Sequence, residues 1–139
     1  MKNISILALL LFTNFITAQT VEPMVISMEA TQNDENQIYN TAGIEVKPEY
    51  PGGMENFFKF VSTNFVIPKE LTQNGKIFLT FVIEKDGSLS DIKVIRDIGY
   101  ATAQEAIRVL KLSEKWIPGQ QNGKNVRTQY SLPINLVVK

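Results

Sequence analysis

A chain of 139 residues, 44% apolar and 20% charged, has the length of one domain and the balance of an ordinary globular protein. Its formal charge is zero, and the excess of four positive charges over residues 47–139 is too small and too scattered to argue for nucleic acid as a partner. Without Cys or His it has no disulfide, no thiol nucleophile, no imidazole base and no zinc site of nitrogen and sulfur ligands.

Lys2 opens the chain, residues 4–16 are mostly apolar, and Thr17-Ala18-Gln19 offers a cleavage region. This order reads as a secretory signal peptide over residues 1–18. Thirteen residues interrupted by Ser5, Thr13 and Asn14 fall short of the roughly 20 that span a bilayer. An uncleaved inner-membrane anchor is the rival reading. The expectation is an exported periplasmic protein with no membrane span in its mature chain. No Cys follows the apolar run, which excludes lipid attachment there.

Residues 19–44 are predicted to be a flexible acidic segment. Glu22, Glu29, Asp34 and Glu35 lie there without a single Lys or Arg, and the polar run 32–37 has too little apolar surface to order itself. Val25-Ile26 is the one short stretch suited to local pairing. The folded domain is placed at residues 45–139. Pro48 and Pro51 hold an extended approach to it, and Tyr50-Pro51-Gly52-Gly53 opens a helix. Met54, Phe57, Phe58, Val61 and Phe65 recur at steps of three and four and predict one apolar face, read as core rather than as a ligand platform.

Residues 76–84 alternate as a strand, with Ile77, Leu79, Phe81 and Ile83 on one face. Asp86-Gly87 then predicts a hairpin to a second strand over 89–96. A second helix starts at Thr102, where Thr102-Ala103-Gln104-Glu105 fits a capping box, and Ala103, Ala106, Ile107 and Leu110 make its apolar stripe. Trp116 reads as a core plug beneath a turn at Pro118-Gly119. The last strand, about 126–138, sets Val126, Thr128, Tyr130, Leu132, Ile134, Leu136 and Val138 against Arg127, Gln129, Ser131, Pro133 and Asn135. Proline inside a strand implies an edge or a bulge, so this strand is expected to leave one side unpaired.

Catalysis has little to stand on. Glu84, Asp86, Asp91 and Asp97 are the carboxylates that could be paired, but the turn and a solvated hairpin explain them. Gly52-Gly53 lacks the spacing of a phosphate loop. The chain is therefore expected to be no enzyme and to carry no cofactor and no metal.

Tyr50-Pro51-Gly52-Gly53, the Asp86-Gly87-Ser88 hairpin, Arg96-Asp97-Ile98-Gly99, Trp116-x-Pro118 and the run 129–134, in that order, resemble the TonB C-terminal domain over about 95 residues. The resemblance implies an α+β fold, a three-stranded antiparallel sheet with two helices packed on one face. It also implies docking onto outer-membrane transporters, whose N-terminal box segment adds as a strand beside the last strand, a β-augmentation mode of recognition. Arg127, Gln129, Tyr130, Ser131, Pro133 and Asn135 are the candidate partner-binding residues. About five intermolecular backbone hydrogen bonds at roughly 0.5–1.5 kcal/mol each suggest micromolar or weaker binding. A full energy transducer carries a membrane helix and a long proline-rich spacer. The acidic segment here would reach about 85 Å when fully extended, so energy transduction by this chain alone is not expected. Two rival readings are a structural or sensory module that pairs its edge with a second copy, and a cell-wall-binding module that uses Tyr130 and Trp116 against sugars.

Overall fold

The computed structural model describes residues 35–139. The predicted signal segment and most of the acidic segment lie outside them. The elements run β1 (Ile38–Asn40), α1 (Met54–Asn64), β2 (Gly75–Ile83), β3 (Leu89–Arg96), α2 (Thr102–Lys111), β4 (Gly119–Gln121) and β5 (Lys124–Leu136). The fold is α+β, with two helices and a five-stranded mixed sheet.

The antiparallel centre forms as the alternation predicts. β2 pairs with β3 across the Asp86-Gly87 turn, and with β5 from Gly75↔Leu136 to Ile83↔Thr128. Ile77, Leu79, Phe81 and Ile83 of β2 and Leu132, Ile134 and Leu136 of β5 are buried on one shared face. Phe57 and Val61 of α1, Phe65 at its end, and Ala106, Val109 and Leu110 of α2 close the core over that face. Burial of this continuous apolar surface holds the helices to the sheet.

Five strands replace the expected three. β4 and the start of β5 form a hairpin turned by Asn122 (φ 51°) and Gly123 (φ 73°). Asn-Gly is a strong signal for such a turn, because both central residues need positive φ, but only three residues flank it on the β4 side. β1 falls inside the segment predicted to be flexible, and it pairs in parallel with β5 at Ile38↔Arg127, Tyr39↔Thr128 and Asn40↔Gln129. The backbone of β5 supplies what that short polar stretch lacks in apolar surface. Ile44, also in that segment, is buried.

Helix details differ in three places. Phe58 stands 42% exposed instead of joining the core face of α1, because steps of three and four from Phe57 select Phe60 and Val61 over it. The capping box does not form. Ala101, at φ 60°, is the N-cap of α2, and the Thr102 hydroxyl donates to the Gly99 carbonyl at 2.7 Å. Glu105 is drawn away by Arg108, and it also accepts the Val66 backbone N–H at 2.9 Å. Arg108 in turn donates to the Asn64 carbonyl at 2.8 Å, so this pair ties the end of α1 to α2. Val109, missing from the predicted stripe, is fully buried.

Candidate functional site

The turns at Tyr50-Pro51-Gly52-Gly53, Asp86-Gly87 and Trp116-Ile117-Pro118 meet around one aromatic cluster. Tyr50-Pro51-Gly52-Gly53 closes with Gly53 N–H donating to the Tyr50 carbonyl at 2.7 Å. Proline at the second position and Gly52 at φ 80° at the third fit a type II turn. That turn delivers the Tyr50 ring onto Phe57 and Trp116, at centroid separations of 5.2 and 5.4 Å. Burial raises the Tyr50 pKa above its ordinary value, with the nearby Glu114 carboxylate adding to the effect. Trp116 also packs on Phe57, Phe81 and Tyr130, and its indole N–H donates to Ser113 Oγ at 3.2 Å.

The hairpin is fastened to the same cluster. Gly87 accepts the Trp116 N–H at 2.8 Å, and a Cβ on Gly87 would fall 1.9 Å from the Trp116 carbonyl oxygen. Only glycine fits so close a backbone approach, and at φ 86° only glycine is unstrained. Trp116 is 2% exposed, which removes it from the sugar-stacking role weighed above and makes it the core plug.

Beside this scaffold, β5 has two unequal sides. Toward β2 it is paired over residues 128–136. Away from β2, β1 covers residues 127–129, and among the described residues no strand covers 130–136. The expected unpaired side therefore exists only along the last part of the strand. It overlooks a groove of about 700 Å³ between α1 and the end of β5, lined by Phe58, Val61, Phe65, Ile67, Ile134 and Leu136, with Lys59 and Lys139 supplying positive charge. Phe58, Ile67 and Val137 are exposed apolar side chains along it.

The candidate residues separate along the strand. Ser131, Pro133 and Asn135 are exposed on the open stretch, and Asn135 lines the groove. Gln129 is exposed but paired in register with Asn40. Arg127 is already engaged: its Nε and Nη2 donate to the Glu84 carboxylate at 2.8 and 3.0 Å, and its Nη1 donates to the Asn36 carbonyl at 3.0 Å. Those hydrogen bonds, with help from the Ser90 hydroxyl, hold the Glu84 carboxyl below the usual carboxylate range. The side chain of Tyr130 turns inward, stacked on Phe81 at 5.6 Å, with its hydroxyl 3.5 Å from the Met54 sulfur. Burial raises its pKa. Phe58 and Ile67 were not foreseen as site residues. The spacing of Phe58 predicts a core position, and Ile67 lies in an irregular stretch where no periodicity speaks.

A family model, the Gram-negative bacterial TonB protein C-terminal, matches residues 68–137. The chain belongs to the TonB C-terminal family. The match runs from the approach to β2 through β3, α2 and β4 to the end of β5. TonB C-terminal domains are periplasmic interaction domains of Gram-negative transport systems, and they typically contact outer-membrane transporters. No curated protein matches the chain. Among the described residues no helix is long and apolar enough to cross a membrane.

Proposed function

We propose that this TonB-type domain, exported on the signal segment at residues 1–18, binds the N-terminal box segment of an outer-membrane transporter by strand addition along β5. The observation that carries the reading is the coincidence of an uncovered strand side at 130–136 with the apolar groove beneath it. An unpaired edge is a liability unless something pairs with it. A strand added there satisfies the free backbone groups, and alternate side chains of the partner reach the groove. Ser131, Pro133 and Asn135 line the docking edge, and Phe58, Ile67 and Leu136 receive the partner's apolar side chains. The domain performs no chemistry in this role.

The test is an amide-resolved NMR titration of the mature protein with N-terminal peptides from the same bacterium's outer-membrane transporters. Shift changes clustered on 130–136 and on the α1 side of the groove are expected. Absence of shifts at about millimolar peptide, far above the micromolar range set by a few net hydrogen bonds, would remove transporter docking.

A further inference from the structure

The side of β5 that faces away from β2 is covered unevenly among the described residues. Over 127–129 that side is taken by β1, and over 130–136 it is open. β1 is weakly held by its side chains. Ile38 is 43% exposed, Asn40 is exposed and Tyr39 is only half-buried. Backbone pairing joins it to β5, and Arg127 donates to the Asn36 carbonyl.

The chain is anchored firmly only beyond β1. Ile44 is buried, and Val46 and Gln120 exchange two backbone hydrogen bonds of 3.1 and 2.9 Å. Glu49 and Ile117 exchange another two, of 3.0 and 2.8 Å. Between β1 and this anchor lies a turn, closed by Gly43 N–H on the Asn40 carbonyl and by Ala42 N–H on the Asn40 side chain. Nothing packs within 4 Å of where a Gly43 side chain would sit. No residue of β1 or of this turn belongs to the core cluster. Short segments with few buried apolar contacts open at the low end of a protein's stability range.

We infer that β1 is an internal competitor for the docking edge, which peels from β5 when a partner strand pairs along 127–136. The inference rests on the docking reading above and adds a regulatory step to it. In the closed chain a partner finds seven residues of edge, and after release it finds ten. Release also frees Arg127 from Asn36 and Gln129 from Asn40, so both reach the partner only in the open form. The fraction of chains already open then scales the apparent affinity.

The chain has no cysteine, so Asn40→Cys with Gln129→Cys gives a single disulfide between registered neighbours. Oxidised full chain, with β1 locked, is compared with the same protein after reduction. The probe is a fluorescent peptide of a transporter N-terminal segment. Binding about tenfold weaker in the locked form is expected, the loss from denying three residues of backbone pairing. A second measurement uses the unaltered chain. Amide exchange at Ile38–Asn40 is expected to accelerate at peptide saturation while exchange at 130–136 slows. Equal affinity in both redox forms, or protection of β1 retained in the saturated complex, would overturn the competitor role and leave the docking reading standing. Failure of the unaltered chain to bind any such peptide would remove the docking reading and this inference together.

Discussion

Replacing Phe58 separates the groove from the core that supports it. The ring is 42% exposed, whereas its neighbour Phe57 is fully buried. A phenylalanine buries about 200 Å² when fully covered, so roughly 85 Å² of this ring remains for a partner to cover. At about 25 cal/mol per Å² that area is worth about 2 kcal/mol, or about thirtyfold in affinity. Incomplete coverage and ordering of the partner reduce this, so Phe58→Ala is expected to weaken peptide binding by about 5- to 30-fold. Its cost to folding is smaller, about 1 kcal/mol, because the ring stands at the edge of the aromatic cluster and alanine favours the helix. Fluorescence anisotropy with the labelled peptide reads the affinity, and urea unfolding reads the stability. Affinity within twofold of the parent chain, with the fold intact, would show that the partner does not use the groove.

Three further outcomes follow from the geometry. Trp116→Ala is expected to lose about 3–5 kcal/mol in urea unfolding, because a buried ring touching Tyr50, Phe57, Phe81 and Tyr130 leaves a cavity that these cannot fill. Thr128 is fully buried and its hydroxyl has no hydrogen-bond partner, so Thr128→Val is expected to raise stability by about 1 kcal/mol, and a loss in the same assay would reveal a missed bond. Glu84 is held below its ordinary value of 4.5 by Arg127, so its stabilisation is complete above that pH and lost as pH falls through the depressed folded value. Thermal midpoints taken from pH 7 to about pH 3 should drop in acid, and Glu84→Gln should flatten part of that drop. The rest persists, because Glu105 beside Arg108 is depressed with the same sign.

What the sequence made legible follows the strength of local signals. β2, β3 and the core face of β5 could be read because period-two alternation over eight or more residues has one physical meaning. β1 and β4 are three residues each, too short for any period, and they exist because β5 offers backbone to both. The capping box failed through a long-range competitor: Glu105 satisfies Val66, which is 39 residues away. The docking edge was half legible. Pro133 lies on the stretch 130–136 that no described strand covers on the side away from β2, but nothing local could say that Ile38–Asn40 covers the part before it.

Apart from the run 129–134, the positions that carry the family resemblance are not the positions proposed to touch a partner, and this has a consequence for mutational studies. Tyr50, Gly87 and Trp116 are joined by ring contacts and one short backbone approach, on the buried side of the sheet. Ser131, Pro133 and Asn135 lie on the exposed side of β5, and the groove opens between that strand and α1. Changes in the first group are expected to abolish binding only by unfolding the domain, so binding and stability fall together. Changes in the second group are expected to weaken partner binding while the fold persists. A substitution such as Gly87→Ala, which forces a methyl against the Trp116 carbonyl, would therefore mimic a docking defect in cells. Only a parallel unfolding measurement distinguishes it from Phe58→Ala, whose defect survives at full occupancy of the folded state.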